Sequence, residues 1–153
     1  MSFSIISPAF ESGGRIPPKY TRDGENLSPP LQWRDVPKDT RSLALVIEDP
    51  DAPSGTFRHW AVYNIKPTQT ALREGLSSTK ADHLGYGVND FGYPRYDGPQ
   101  PPKGHGPHHY HFRLIALDVP SLDLPPTANA EDVLNAARSH RLDETELVGI
   151  FQS

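Results

Sequence analysis

Proline and glycine recur along the whole chain, and they limit its fold more than any other feature. The sequence has 17 prolines and 12 glycines among 153 residues, well above the usual combined share of about 12%. Proline interrupts helices and central strands, and glycine favours turns. Because the excess has no repeating period, it is not typical of collagen or of low-complexity chains. It predicts many short strands joined by rigid turns and long ordered loops.

Length, cysteine content and charge narrow the class of protein. A chain of this length can bury a hydrophobic core without disulfide or metal staples. It contains no cysteine, which excludes disulfides, thiolate nucleophiles and cysteine zinc sites. The formal net charge is −4 with histidine neutral, which argues against nucleic-acid binding through a basic surface. We predict a single domain over residues 1–153.

Targeting signals are the next constraint. The first ten residues, MSFSIISPAF, lack the basic start and the apolar run of a secretory signal. No apolar stretch approaches the roughly 18 to 20 residues that a membrane helix needs. We therefore expect a soluble cytoplasmic protein that does not insert into a membrane.

The clearest strand is the segment 42–49, SLALVIED. Both of its alternating sets are apolar, which is typical of a central or sandwiched strand. Asp49 continues the set formed by Leu43, Leu45 and Ile47, so it lies at the end of a buried row. A carboxylate in that position is costly unless it is paired or lines a pocket.

Two further segments, 58–65 and 108–119, also alternate as strands. Period two gives the first segment two faces, formed by His59, Ala61, Tyr63 and Ile65 and by Trp60, Val62 and Asn64. In the second segment, His108 and Tyr110 lead a face that is otherwise apolar. We therefore expect these two side chains together at the mouth of the buried face.

One helix is predicted over residues 129–142. Asn129 is a good N-cap, and Glu131 and Asp132 suit the positive end of the helix dipole. The apolar stripe of this helix consists of Val133, Leu134, Ala137 and Leu142. The terminal ELVGIF predicts a final strand. The segment 84–107 is a long loop whose aromatic residues argue against disorder, and loops of this length are commonly functional.

Metal and nucleophile chemistry have weak support in the sequence. Four histidines crowd within seven residues, namely His105, His108, His109 and His111. Alternation turns His108 away from the next two, so adventitious nickel or zinc binding is favoured over a physiological metal site. There is no G-x-S-x-G motif. Asp49 and His59 are suited to be a base and its orienting group, but no serine is marked as the nucleophile.

Several segments resemble the phosphatidylethanolamine-binding protein family. The two signature segments are EDPDAPSGTFRHWAVYNI and YDGPQPPKGHGPHHYHFRLIALD, and TRDGENLSPPLQW is similar to the N-terminal segment of the family. GVNDFGY and LVGIF resemble its compact bacterial and archaeal branch, called Raf-kinase-inhibitor-like. The resemblance covers nearly the whole chain. It implies a mainly β fold, an antiparallel β-sandwich of two sheets with one or two short peripheral helices.

The same resemblance implies a small pocket for phosphate, acetate or phosphorylated head groups. The residues matched by motif position are Asp49, Asp51, His59, Pro101, Pro102, His108 and Tyr110. Protonated histidine and the tyrosine hydroxyl donate to an oxyanion, whereas Asp49 orients an imidazole. The prolines hold the rim rigid, so little loop entropy is lost on binding. The chain departs from the family at His109, where Arg is common, and at His105, where Thr is common.

Three functions are open at this point. The first is binding of a small anionic ligand, with regulation of a partner protein as an extension. The second is inhibition of a kinase or protease through protein contact, and the third is weak hydrolysis of a phosphorylated metabolite. Because no nucleophile is marked, we expect a binding protein rather than an enzyme, with no catalytic residue, metal or cofactor. Compact family members resemble homodimers, so self-association is open as well.

Overall fold

The computed structural model describes residues 2–76 and 83–153, which form two antiparallel sheets. The strands are β1 (Ser4–Ile6), β2 (Leu31–Arg34), β3 (Ser42–Asp49), β4 (Phe57–Ile65), β5 (Ala71–Leu72), β6 (Gly85–Tyr86), β7 (His108–Leu117) and β8 (Arg141–Phe151). The smaller sheet has the order β1-β2-β5 and the larger sheet the order β6-β4-β3-β7-β8. The described residues also form one α-helix, α1 (Ala130–Ser139), and one 3-10 turn (Pro18–Tyr20). The predicted mainly β, two-sheet architecture is confirmed.

Strand β3 lies in the middle of the larger sheet, and every one of its residues is buried. Its odd-numbered apolar residues pack into the core between the sheets, together with Trp33 of β2 and Phe112 of β7. Its even-numbered residues Ala44 and Val46 pack beneath α1 with Val133. A strand with two apolar faces suits this position because both faces are covered.

Strand β4 departs from simple alternation near its end. The register with β3 shifts between Leu43 and Leu45, and Asn64 has a φ of 61°. Ile65 consequently joins the core between the sheets, while Asn64 turns to the helix side and accepts from the backbone N–H of Leu122. A β-bulge re-aims the side chains that follow it. The predicted face of His59, Ala61, Tyr63 and Ile65 is therefore wrong at Ile65.

A second shift in the same strand re-aims His59. Ile47 pairs with Trp60 and Glu48 pairs with Arg58, so His59 is the extra residue between them. Its ring faces the ring of Tyr110 with centroids 5.3 Å apart, on the side of the sheet that faces the smaller sheet. The bulge thus separates His59 from Ala61, with which strict alternation had grouped it.

The helix begins as predicted and ends sooner. The side chain of Asn129 accepts from the backbone N–H of Asp132, which returns a bond to the backbone of Asn129 and completes a capping box. The helix ends at Ser139, so Leu142 lies in β8 and is 42% exposed. The predicted place of Leu142 in the apolar stripe is wrong. Within the described residues, no helix combines the length and apolar character needed to cross a bilayer.

Candidate functional site

A cavity of about 250 Å³ opens where β3, β4 and β7 meet the loop 87–107. Its walls are formed by Asp49, Ala52, Pro53, Ser54, Phe57, His59, Phe91, Gln100, Pro101, Pro102, His108 and Tyr110. Six of the seven residues predicted for the pocket are among them. Asp49 ends β3, while His108 and Tyr110 begin β7, so the two predicted rows do meet at this cavity.

Asp51 is the predicted residue that lies outside the cavity wall. Its carboxylate accepts from both the backbone N–H and the ring Nδ1 of His109, each at 2.8 Å. Partial burial raises the pKa of Asp51, but these hydrogen bonds outweigh it and leave the pKa below its usual value. The backbone N–H of Asp51 donates to Asp49 at 2.8 Å. Asp51 therefore ties the turn after β3 to the start of β7.

Asp49 and His108 form a buried pair at the base of the cavity. Oδ2 of Asp49 lies 2.6 Å from Nδ1 of His108, and the two residues are 3% and 1% exposed. An ionised carboxylate only accepts hydrogen bonds, so Nδ1 of His108 is the donor. On the other side of the ring, Nε2 lies 2.6 Å from Nδ1 of the exposed His105. Both nitrogens of His108 therefore have protein partners.

His59 is held in one tautomer by the backbone. Its Nδ1 donates to the carbonyl oxygen of Asp97 at 2.8 Å, since a carbonyl can only accept. Burial lowers the pKa of His59, although the backbone bond from Asp97 and the negative charge of Asp49 act in the opposite direction. The neutral ring presents an unprotonated Nε2, which accepts hydrogen bonds and donates only after protonation.

Tyr110 contributes a hydroxyl that stays protonated. Burial raises the pKa of Tyr110 far above its usual value, and the negative charges of Asp49 and Asp51 add to the effect. Among residues 2–76 and 83–153, none forms a hydrogen bond with this hydroxyl, although the residue is 1% exposed. A protonated hydroxyl at a cavity wall is a donor for an oxygen atom of a ligand.

Asp97, which was not predicted, lies outside the cavity wall and holds the surrounding loops together. Its carboxylate is fully buried and accepts from Asn26 and Asn89, both at 2.9 Å, and from Arg95 at 3.0 Å. Burial alone would raise the pKa of Asp97, but the bonds from Arg95, Asn89 and Asn26 lower it. These contacts join the N-terminal segment to the loop that carries Pro101 and Pro102. Asn26, Asn89 and Asp97 lie in the quoted segments TRDGEN, GVNDFGY and YDG, which is the signal that could have found them.

An aromatic wall, also not predicted, closes one side of the cavity. The rings of Phe57 and Phe91 meet edge to face with centroids 4.7 Å apart, and both rings pack against His59. The guanidinium of Arg22 lies 4.0 Å from the centroid of Phe91 and donates to Gln100 at 3.0 Å. Apolar rings keep water away from the imidazole, which explains part of its lowered pKa.

Metal-ligand geometry is a separate matter. Across the described parts of the chain, no group of three or more His, Asp or Glu side chains converges as metal ligands would. Of the four crowded histidines, two contact each other and the other two contact separate carboxylates. His105 contacts His108, His109 contacts Asp51, and His111 contacts Glu146.

Comparisons with known proteins identify the family of this chain. The sequence model of the phosphatidylethanolamine-binding protein family matches residues 6–152. A UPF0098 protein of Methanothermobacter thermautotrophicus is 49% identical over 151 residues, which are 97% of this chain and 98% of that protein. A UPF0098 protein of Aquifex aeolicus is 43% identical and aligns over 97% of this chain and 87% of its own length.

Solved structures show the same fold. The crystal structure of E. coli YbcL, described as a member of the mammalian PEBP family, has a TM-score of 0.94 and 30% identity and covers 100% of this chain and 99% of its own. The PEBP homologue CT736 of Chlamydia trachomatis has a TM-score of 0.88 and 36% identity over 99% of this chain and 98% of its own. The chain therefore belongs to the phosphatidylethanolamine-binding protein family.

Proposed function

We propose that this protein binds a small oxyanion in the cavity, either free phosphate or acetate or the phosphate of a phosphorylated head group. The observation that carries the proposal is the convergence of Tyr110, His59 and His108 on one cavity, with the hydroxyl of Tyr110 left without a partner among the described residues. A few polar groups that converge in a cavity with mostly apolar walls are typical of a site that orients one small ligand.

The walls favour tight contacts with a ligand oxygen. Phe57, Phe91, Pro101 and Pro102 surround the polar groups, and hydrogen bonds to a charged oxygen are stronger when water is excluded. The two prolines lie in a segment whose backbone is restricted before binding, so the ligand loses little affinity to loop ordering.

Charge sets the conditions for binding. Asp49 would repel an anion, but its carboxylate is already engaged by His108 and by the backbone of Asp51. Neutral His59 offers only an acceptor at Nε2. A phosphate therefore either brings its own proton to that nitrogen or binds after His59 takes one up. Both routes strengthen binding as the pH falls.

Calorimetric titration at about pH 5.5 and about pH 8 tests the proposal. Phosphate monoesters change charge between these values because their second pKa is about 6, so sulfate, which keeps its charge, is titrated in parallel. We expect sulfate to bind several-fold more tightly at the lower pH. Equal sulfate affinity at the two values would contradict the role given to His59.

Substitution of the free hydroxyl gives a second test. Tyr110→Phe removes the donor and keeps the ring, and a hydrogen bond to a charged group is worth about tenfold or more in affinity. Tyr93→Phe is the matched control, because Tyr93 is 45% exposed and is not part of the cavity wall. Phosphate affinity unchanged in Tyr110→Phe would rule out this hydroxyl as a ligand contact.

Inhibition of a kinase or protease remains the second candidate. The carboxypeptidase Y inhibitor, solved in complex with its cognate proteinase, has a TM-score of 0.57 and 18% identity to this chain, so the likeness extends to the fold alone. Capture of a protein partner that survives Asp49→Ala and His108→Ala would favour this function. Turnover of a phosphorylated metabolite that is lost in His59→Ala would favour the hydrolase.

Location and oligomeric state are further predictions. We propose that the protein is cytoplasmic. The competing location is the membrane surface, since a Mycobacterium tuberculosis relative that is 39% identical has a name that describes it as a lipoprotein. Cell fractionation distinguishes the two. Native mass spectrometry of freshly purified protein would report a homodimer and any retained ligand in one experiment.

A further inference from the structure

Among the described residues, His105 contacts a residue of the cavity wall without lining the cavity itself. Its side chain is exposed, yet its Nδ1 lies 2.6 Å from Nε2 of the buried His108. The other nitrogen of His108 is bonded to Asp49. In this state His108 therefore has no ring nitrogen left for a ligand, whereas Tyr110 and Nε2 of His59 are available.

A ring nitrogen of histidine has one hydrogen-bonding direction, in the plane of the ring. A ligand oxygen and Nδ1 of His105 cannot both take that direction on Nε2 of His108. An anion that reaches His108 has to displace His105, and an anion that stays clear of His108 leaves this contact in place.

The backbone on both sides of His105 permits such a displacement. Gly104 and Gly106 have φ values of 78° and 92°, which glycine adopts at little cost. Apart from the adjoining residues, no described atom lies within 4 Å of the position that a Cβ would take at either glycine. The backbone N–H of His105 donates to the carbonyl oxygen of Pro102, so the turn is anchored at one end, and the side chain of His105 is exposed. The contact is thus one hydrogen bond between an exposed residue in a glycine-flanked turn and the buried imidazole of His108.

We propose that His105 competes with the ligand for His108, because it occupies the position on His108 that a third oxygen of a tetrahedral anion takes. This competition sets the preference of the pocket between phosphates and carboxylates. This rests on the proposed function. A carboxylate has two oxygens. The hydroxyl of Tyr110 donates to one of them, and His59 donates to the other once its Nε2 is protonated. A phosphate has further oxygens, one of which carries a proton that it can donate to Nε2 of His108. This extra contact is gained only against the loss of the His105 contact.

The test compares the affinities of inorganic phosphate and acetate for the wild-type protein and for His105→Ala at one fixed pH. Removing the competing hydrogen bond should raise phosphate affinity about three- to tenfold, the weight of one such bond, and should change acetate affinity less than twofold. His109→Ala is the matched control, because it removes a neighbouring exposed imidazole that is bonded to Asp51 and not to His108. In this control both affinities should stay within twofold of wild type.

The outcomes separate the two proposals. If phosphate and acetate bind neither protein, the proposed function fails and the competition fails with it. If phosphate binds both proteins equally, or binds His105→Ala more weakly, the competition alone is overturned. An equal rise for both anions overturns the claim of selectivity.

Nitrogen NMR of the imidazoles provides a readout that does not depend on the size of the affinity change. In the ligand-free protein, the ring nitrogens of His105 and His108 should be coupled through their shared proton. That coupling should vanish when phosphate is added and persist when acetate is added. Persistence of the coupling in the phosphate complex would overturn the proposal even if His105→Ala changed the affinity.

Discussion

Nδ1 of His59 and the backbone oxygen of Asp97 are 2.8 Å apart, and this bond joins the bulge in β4 to the long loop that closes the cavity. It leaves Nε2 as the nitrogen that can meet a ligand. The ring is 4% exposed and packs against Phe57, Phe91 and Tyr110. The bond to Asp97 and the buried aromatic surroundings therefore determine the tautomer, the orientation and the lowered pKa of the His59 imidazole.

The first prediction concerns stability against pH. Burial lowers the pKa of His59 from its usual value of 6.5, so the unfolded chain takes up this proton at a higher pH than the folded protein does. The free energy of unfolding should therefore be greatest above about pH 6.5 and should fall as the pH drops towards the pKa of the folded state. His59→Asn keeps a donor near the Nδ1 position but removes the titrating imidazole. The free energy of unfolding of this variant should therefore depend less on pH than that of the wild type.

Urea unfolding between about pH 7.5 and pH 5 provides the measurement, since this range stays above the pKa of ordinary carboxylates. His140→Asn is the control, because it removes an exposed imidazole at the end of α1. A slope in His59→Asn as steep as in the wild type would show that another group titrates on unfolding.

Asp97 provides the second prediction. Its buried carboxylate accepts from three side chains, and an asparagine has one oxygen with which to replace two. Asp97→Asn should lower the free energy of unfolding by about 2 to 4 kcal/mol, because donors buried around it lose their acceptors. Asp143→Asn on the exposed part of β8 is the control and should stay within about 0.5 kcal/mol of wild type.

How far the site can be predicted depends on the kind of backbone that carries each residue. Asp49, His108 and Tyr110 lie on regular strands, and period two places their side chains correctly. His59 lies at a bulge, where an extra residue breaks the period without any turn residue in the sequence to mark it. Its meeting with Tyr110 was expected from the family resemblance and not from the alternation.

The loop residues are harder for a related reason. A segment such as 87–107 has no period, and its path is decided by long-range contacts such as those of Asp97 with Asn26. The edge strand β8 was likewise predicted only at its apolar end, ELVGIF, because its first half carries charged residues that are typical of sheet edges. The helix start was predictable since Asn129 and Asp132 cap it locally.

The third prediction concerns a close approach of two backbones. A Cβ added to Gly98 would lie 1.9 Å from the carbonyl oxygen of Tyr20, and neither backbone can move without disturbing the loop around Asp97. Gly98→Ala should therefore lower the free energy of unfolding by about 2 to 3 kcal/mol and weaken phosphate binding as Pro101 shifts. The measurement is urea unfolding combined with phosphate titration.

Gly92→Ala is the control for that substitution. Gly92 has a φ of 96° and open space around a Cβ. Alanine there should lower the free energy of unfolding by about 1 to 2 kcal/mol, because only the unfavourable backbone conformation opposes it. Equal destabilisation by the two variants would mean that the contact of Gly98 with Tyr20 imposes no steric limit.

The last prediction compares two aspartate–histidine pairs that differ mainly in burial. Asp49 and His108 lie 2.6 Å apart with side chains 4% and 2% exposed, whereas Asp51 and His109 lie 2.8 Å apart with side chains 41% and 46% exposed. In double-mutant cycles with alanine, the buried pair should show a coupling energy of about 1.5 to 3 kcal/mol, because either single substitution leaves a polar group buried without its partner. The exposed pair should show less than about 1 kcal/mol, since water replaces the lost partner. Unfolding free energies of the six single and double variants at one pH provide the measurement, and similar coupling in the two pairs would contradict the view that burial gives the Asp49–His108 contact its weight.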